Sequence, residues 1–236
     1  MARLPRLALA GRLHLVVQGG RAGRPIFVDD EDRRRFKAAM LDSSRECGVA
    51  LHAYALMDDE VLLLATPGES AALARFMQAL GRRYVRAFNG RHAQTGALWD
   101  GRYRTTVVDP ASHLQTCIRL IEQAPVRRGL SSHTNDWPWS SAMHHAGRRI
   151  DALVTEHPTY WQLGNTPFER EARHGREAAV LLGEVEARDL LSAARHGWPL
   201  GSEQFLLSLA ASTDRPLRPR RRGRPRREPR LAPSAV

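Results

Sequence analysis

Along the first half of the chain, apolar positions switch between a period of two and a period of about 3.6, and the switches mark out the elements. Arg12–Gln18 (RLHLVVQ) is β-rich and stops at Gly19-Gly20, with a polar turn through Arg24-Pro25, which predicts a first strand. From Asp29 to Cys47 apolar residues recur at helical spacing (Phe36, Ala39, Met40), with Asp29-Asp30-Glu31 where carboxylates favour the helix dipole and Gly48 at the stop. Val49–Met57 and Val61–Thr66 are two short apolar runs around Asp58-Asp59-Glu60, the pattern of a hairpin. Glu69–Asn89 sets Leu73, Phe76, Met77, Leu80, Tyr84, Val85 and Phe88 on one helical face, with Arg75, Arg82, Arg83 and Arg86 mainly off it. Leu98–Val108 predicts another strand and Pro110–Gln123 a third helix, closed by Pro125 and Gly129.

The order is βαββαβ with an added helix. It predicts an α+β fold, a ferredoxin-like antiparallel sheet carrying helices on one face and leaving the other as an open platform. From Trp137 to Ala211 the pattern is mostly helical, with Ala178–Glu186, Asp189–Arg195 and Ser202–Ala210 as expected helices and the tryptophans read as core. A helix-turn-helix reader is one option there. The expected division is 1–130 for the main domain, 131–212 for a helical extension and 213–236 for a disordered arginine-rich tail. A superfold of this kind hosts many functions, so function has to come from particular residues.

Composition narrows the classes. At 236 residues, 42% hydrophobic and 26% charged, the chain suits one compact domain with appendages. No apolar run approaches the roughly 18 residues of a membrane span, and Gly11, Arg12 and His14 interrupt any signal-like start. The expectation is a cytoplasmic, nucleoid-associated protein without a membrane partner. Cys47 and Cys117 have no ligand-like spacing and read as buried free thiols. Formal charge is +11 and nearly all basic residues are Arg, which forks onto phosphate and guanine edges, so nucleic acid is the leading partner. Asp214–Arg230 holds nine arginines against Asp214 and Glu228. Its Arg222-Gly223-Arg224-Pro225 centre looks like an AT-hook lying in the minor groove of A·T-rich duplex, and a generic polybasic tail is an equal reading.

A series of short segments carries a family resemblance. Met1-Ala2-Arg3-Leu4-Pro5-Arg6, His52-Ala53-Tyr54-Ala55-Leu56-Met57, Leu80-Gly81-Arg82-Arg83-Tyr84-Val85-Arg86-Ala87-Phe88-Asn89, Leu98-Trp99-Asp100-Gly101-Arg102-Tyr103-Arg104 and Pro125-Val126-Arg127-Arg128-Gly129 resemble the REP-associated tyrosine transposases. Trp137-Pro138-Trp139-Ser140-Ser141, Leu163-Gly164-Asn165 and Leu200-Gly201-Ser202-Glu203-Gln204-Phe205 are similar to that family's C-terminal region. These are relatives of the insertion-sequence transposases of the HUH single-tyrosine class. The resemblance implies cutting of single-stranded DNA beside hairpins by a tyrosine that becomes joined to a 5′-phosphate. It also implies Mg²⁺ or Mn²⁺ on a His-hydrophobic-His pair of a central strand, with a third ligand one helical turn past the tyrosine.

Carried over residue by residue, the resemblance meets substitutions. Aligned on Leu56-Met57, the two histidine positions fall at Glu60 and Leu62; aligned on Pro125-Val126-Arg127, the nucleophile falls at Leu120 and the third ligand at Ala124. Leucine supplies no nucleophile, an alanine methyl cannot ligate, and Glu60 alone would hold a hard cation weakly. No intact catalytic or metal residue is therefore expected, and no cofactor. Three alternatives stand beside this. The alignment could be shifted, although its two anchors are independent and no tyrosine occurs from Arg104 to Thr159. Asp58, Asp59 and Glu60 could form a substitute site, against a solvated turn. His14 and His52 could face each other on neighbouring strands, against structural histidines. His92, His113, His133, His144, His145, His157, His174 and His196 show no ligand spacing.

The residues that would handle DNA survive. Arg82, Arg83 and Arg86 accompany Tyr84, Arg102 and Arg104 flank Tyr103, and Arg21 follows a Gln18-Gly19-Gly20 loop, a mixture suited to phosphate contacts and base stacking. Taken singly, each is better read as a solvated charge around core aromatics; the resemblance tips the group towards DNA. The expected function is hairpin or single-stranded DNA binding through the domain and duplex binding through the tail, with strand cleavage lost. A working single-tyrosine transposase or nuclease with a rearranged site is the rival, an RNA-binding or structural remnant the third reading, and a homodimer one possible assembly.

Overall fold

Local signals and tertiary packing agree over most of the domain in a computed structural model, which describes residues 5–219. Strand β1 (Leu13–Gly19) leads to α1 (Asp30–Cys47), then β2 (Val49–Leu56), β3 (Glu60–Pro67), α2 (Ala72–Arg91) and β4 (Arg104–Val108). Asp29 caps α1 by accepting the Asp32 N–H at 3.1 Å, and Gly48 ends it in the left-handed region at φ 65°, where glycine escapes the Cβ penalty. Helices α3 (Pro110–Glu122), α4 (Ala124–Arg127), α5 (Ala142–His145), α6 (Pro167–Ala178), α7 (Glu184–His196) and α8 (Glu203–Ala210) complete the chain.

The sheet runs β2-β3-β1-β4 with every neighbouring pair antiparallel, the expected ferredoxin-like arrangement. Strand alternation divides its residues between two cores. Val16, Tyr54, Val61 and Leu63 face α1 and α2, where Phe36 meets Phe27 and Tyr84 edge-on with ring centroids 5.2 and 4.9 Å apart.

The opposite face is not the open platform expected. Leu13, Leu15, Val17, Leu62 and Leu64 there are covered by Leu114, Ile118, Leu120 and Ile121 of α3 and by Ala187, Leu190 and Ala194 of α7. The physical reason lies in the face itself. Five buried aliphatic side chains are worth about 10 kcal/mol at roughly 2 kcal/mol each, so water cannot compete with any apolar helix able to reach them.

Two element boundaries also differ. The strand expected from Leu98 begins only at Arg104, because Gly101 turns the chain at φ 68° and leaves a single bridge, Gly20 to Trp99, upstream. The helix expected over Ala178–Glu186 is interrupted at 179–183, the break between α6 and α7. Buried Gln123 pins that break open, donating to the carbonyls of Ala178 (3.0 Å) and Val180 (2.9 Å) and accepting the Leu182 N–H (2.8 Å). The AT-hook-like residues Arg222, Gly223, Arg224 and Pro225 lie outside the described residues. Among the described residues no helix is long and apolar enough to cross a membrane, and both cysteines are free and buried.

Candidate nucleic-acid interface

Three segments converge beyond the end of β1 and build a cleft. The Gly20 N–H donates to the Asp59 carbonyl in the β2–β3 turn (2.7 Å), while Arg21 N donates to Leu98 O and Asp100 N to Gly19 O, both at 2.9 Å. Gly20 is required at this junction, since a Cβ there would stand 2.1 Å from the Arg24 carbonyl oxygen. The cleft holds about 580 Å³ and is lined by Gln18 and the glycines of this loop, Asp59, Glu60, Asp100, and the arginines Arg102, Arg104, Arg128 and Arg195.

Its charges fall into two groups. Glu60, at the head of β3, accepts Arg128 through Oε2 at 2.7 Å and Arg195 of α7 through Oε1 at 3.4 Å, and Arg128 also pairs with Asp59. Arg102 and Arg104 line the same cleft, and no ion pair is formed by either among the described residues. They are the cations with capacity left for a phosphate. Arg128 and Arg195 were not singled out from sequence as site residues. Their signal exists only in space, since they lie 68 and 135 residues from Glu60.

Glu60 and Leu62 share a face of β3 by alternation. Leu62, Leu120 and Ala124 are all buried and belong to the apolar cluster between the sheet and α3, with Glu60 at the head of β3 under its two guanidinium groups. The acids of the β2–β3 turn do not converge into a substitute site. Asp58 turns to Arg33, Asp59 to Arg128, and Glu60 to Arg128 and Arg195.

The remaining candidates scatter. An apolar hollow of about 690 Å³, formed by Met77, Leu80, Val85, Trp99 and Tyr103, shares Gln18 and Arg102 with the cleft and carries Arg82 at its edge. Tyr103 there lies under the Arg6 guanidinium, 4.0 Å from the ring centre. Tyr84 cannot stack on a base, because it is buried in the core and donates to the Ile26 carbonyl. Arg83 and Arg86 border a different hollow beside Arg35 and Arg91, and Arg83 is held by Glu46 (2.5 Å) and Ser43 (2.6 Å). Arg21 is exposed next to the cleft without lining it.

His14 and His52 do not face each other, since β3 separates their strands. Each is satisfied locally, His14 by the Arg12 carbonyl (2.6 Å) and the Leu9 N–H (3.2 Å), His52 by the Thr155 carbonyl (2.6 Å) and the Thr66 hydroxyl (2.8 Å). Burial pushes both imidazoles down to about 4, so they stay neutral and structural.

Residues 12–124 match a family model described as IS200-like transposase. Among solved structures, the chain is similar to a REP-associated tyrosine transposase bound to a REP hairpin, at 16% identity and a TM-score of 0.53, covering 67% of this chain and 96% of that one. A candidate transposase from Deinococcus radiodurans R1 shares 22% identity over 50% of this chain and 92% of its own, with a TM-score of 0.35. The first likeness is one of fold. No curated protein matches the sequence.

Proposed function

We propose, from the premise that the chain belongs to the IS200-like transposase family through residues 12–124, that it binds structured DNA by its phosphates and does not cut it. The observation that carries this reading is the Glu60 carboxylate closed by Arg128 and Arg195 over a buried Leu62–Leu120–Ala124 cluster. A divalent cation of the family type does not fit this donor set. Two of the three side chains at the implied ligand positions have no lone pair, and both oxygens of the third are engaged by guanidinium groups. At the nucleophile position, Leu120 has no atom that could attack phosphorus.

What these residues can do is bind. Guanidinium groups donate to phosphoryl oxygens and neutralise their charge, and with no nucleophile at position 120 the cleft grips a backbone without cutting it. Arg102 and Arg104 are assigned the phosphate contacts. The neighbouring hollow, with the half-buried Trp99 in its wall, is assigned an unstacked base, worth about 1–3 kcal/mol by aromatic stacking. The hairpin carried by the solved transposase of like fold supports a hairpin as the ligand to try. In this reading residues 1–130 hold the DNA, 131–212 brace the sheet, and the tail of 213–236 adds duplex affinity that falls with salt.

The test is incubation of the full chain with labelled hairpin DNA and Mg²⁺ or Mn²⁺. A gel shift at low salt without a covalent adduct is expected. An adduct stable to denaturation overturns the loss of cleavage, and no shift at low salt overturns DNA binding.

A further inference from the structure

A second constellation lies outside the cleft, at the C-terminal end of α3. Glu122 closes that helix, His145 ends α5 and His174 lies in α6, and all three side chains are buried. His145 Nδ1 is 2.6 Å from Glu122 Oε1 and His174 Nε2 is 3.0 Å from Oε2. The Ser141 hydroxyl donates to Oε1 at 2.6 Å. One ligand atom from each of the three residues lies within 4.8 Å of the others, the one such group of His, Cys, Asp or Glu among the described residues. None of them coincides with Glu60, Leu62 or Ala124. Their spacing in the sequence carries no ligand signal, because three separate helices supply them.

Two further features point to an occupant. The Tyr160 hydroxyl is buried without a hydrogen-bond partner, and its ring lies 5.0 Å from His145 and 6.2 Å from His174. Partnerless polar atoms inside a protein are costly, about 1–3 kcal/mol each. A cavity of about 540 Å³ lined by His133, Arg148 and Ala178 also has His174 in its wall, so it approaches the trio from outside at that residue.

We propose that Glu122, His145 and His174 bind a divalent transition-metal ion of the zinc class, with a water or the Tyr160 oxygen in the fourth position. The donor set is one carboxylate and two imidazoles, the chemistry such ions select over Mg²⁺ or Ca²⁺. Tetrahedral bonds of about 2.0–2.2 Å put neighbouring ligand atoms roughly 3.3 Å apart, so the hydrogen-bonded trio opens by less than about 1 Å at each contact with the carboxylate. Ser141 orients the carboxylate from outside, as the partners of metal ligands commonly do. The ion would join α3, which packs on the sheet, to α5 and α6 of the C-terminal segment.

The test uses the full chain, stripped with a chelator, dialysed, and titrated with ZnCl₂ and separately with CoCl₂. Expected results are one tight equivalent of Zn²⁺, the intense visible absorption of tetrahedral Co²⁺, and a rise in Tm. His174→Ala and Glu122→Gln should each remove that equivalent. Ser141→Ala leaves every ligand in place, so a well-folded protein should remain, and it should bind about tenfold more weakly. The proposal is overturned if the unmodified chain takes up no stoichiometric Zn²⁺ at micromolar concentration. It is overturned equally if the bound equivalent survives both ligand substitutions, which would assign it to surface histidines. In either case the trio is a hydrogen-bonded buried network only.

Discussion

Acidification from pH 7 to pH 5 should destabilise this protein through two histidines well before its carboxylates titrate. His14 is fully buried in the sheet, donates from Nδ1 to the Arg12 carbonyl and accepts the Leu9 N–H at Nε2, so a second proton on Nε2 would face another donor. His52 is buried between the Thr155 carbonyl and the Thr66 hydroxyl. Burial lowers both from 6.5 to about 4. The folded pKa lies below the unfolded one, so the unfolded chain binds more protons between pH 4 and 6.5. The stability these groups allow is therefore present above 6.5 and is lost as pH falls towards 4. A depression of about 2.5 units caps the loss at roughly 3 kcal/mol per histidine, and about 2 kcal/mol of each is gone by pH 5. About 4 kcal/mol together is a large part of an ordinary domain stability and corresponds to roughly 10 °C in Tm. His144 and His157 are lowered by burial too and act in the same direction. Asp29, held at about 2 chiefly by its hydrogen bond from Arg91, contributes only below this window. Thermal melts followed by circular dichroism at pH 7, 6 and 5 make the comparison, on the unmodified protein, His14→Asn and His52→Asn. Each variant keeps a donor near the Nδ1 position, starts with a lower Tm at pH 7, and should then lose several degrees less than the unmodified protein on reaching pH 5. Parallel Tm-against-pH lines for all three would refute the reasoning.

Three further outcomes are expected. Arg102→Ala should weaken hairpin binding and reduce the slope of log affinity against log salt by about 0.7–0.9, whereas Arg83→Ala, whose guanidinium is committed to Glu46, should change it little; equal effects in a filter-binding series would remove Arg102 from the interface. Deleting 214–236 should lower duplex affinity and flatten its salt dependence, and an unchanged slope would show that the tail is not the electrostatic contact. Gly20→Ala should cost about 1–3 kcal/mol in urea denaturation, because the new methyl meets the Arg24 carbonyl oxygen and the Ile26 side chain and the loop must shift; a wild-type midpoint would contradict the packing described for that loop.

The βαββαβ order was legible because each of its elements is announced within a few residues. Asp29 and Gly48 bracket α1, and the acidic turn Asp58-Asp59-Glu60 separates two apolar runs that could only pair with each other. The cover on the second sheet face was not legible. Leu62 and Leu64 read as apolar wherever they face, and nothing local to them says that α7, more than a hundred residues onward, will lie against β1 and β4. The α6–α7 break failed for a related reason. Residues 179–183 have no strong breaker before Gly183, and what holds them out of a helix is the side chain of Gln123, which makes three hydrogen bonds to that segment. The trio of Glu122, His145 and His174 was invisible for the same cause, each residue being unremarkable on its own helix.

The substituted positions of the proposed alignment are informative as a set. A single ligand residue left at 62 or 124 would now be a polar group in the apolar cluster of Leu120, Ile121 and Leu64, with no metal to satisfy it, and would cost several kcal/mol unless it found another partner. In the proposed reading, where the ion is lost, the interior positions come under pressure to become apolar together, because each remaining ligand is a buried orphan until the last is replaced. Glu60 escapes that pressure by its place at the rim. Arg128 and Arg195 can reach it from the cleft, and with them it remains a paired carboxylate, partly in contact with solvent. Four positions scattered over 65 residues of sequence thus sort by depth: apolar where water cannot reach, acidic where arginine can.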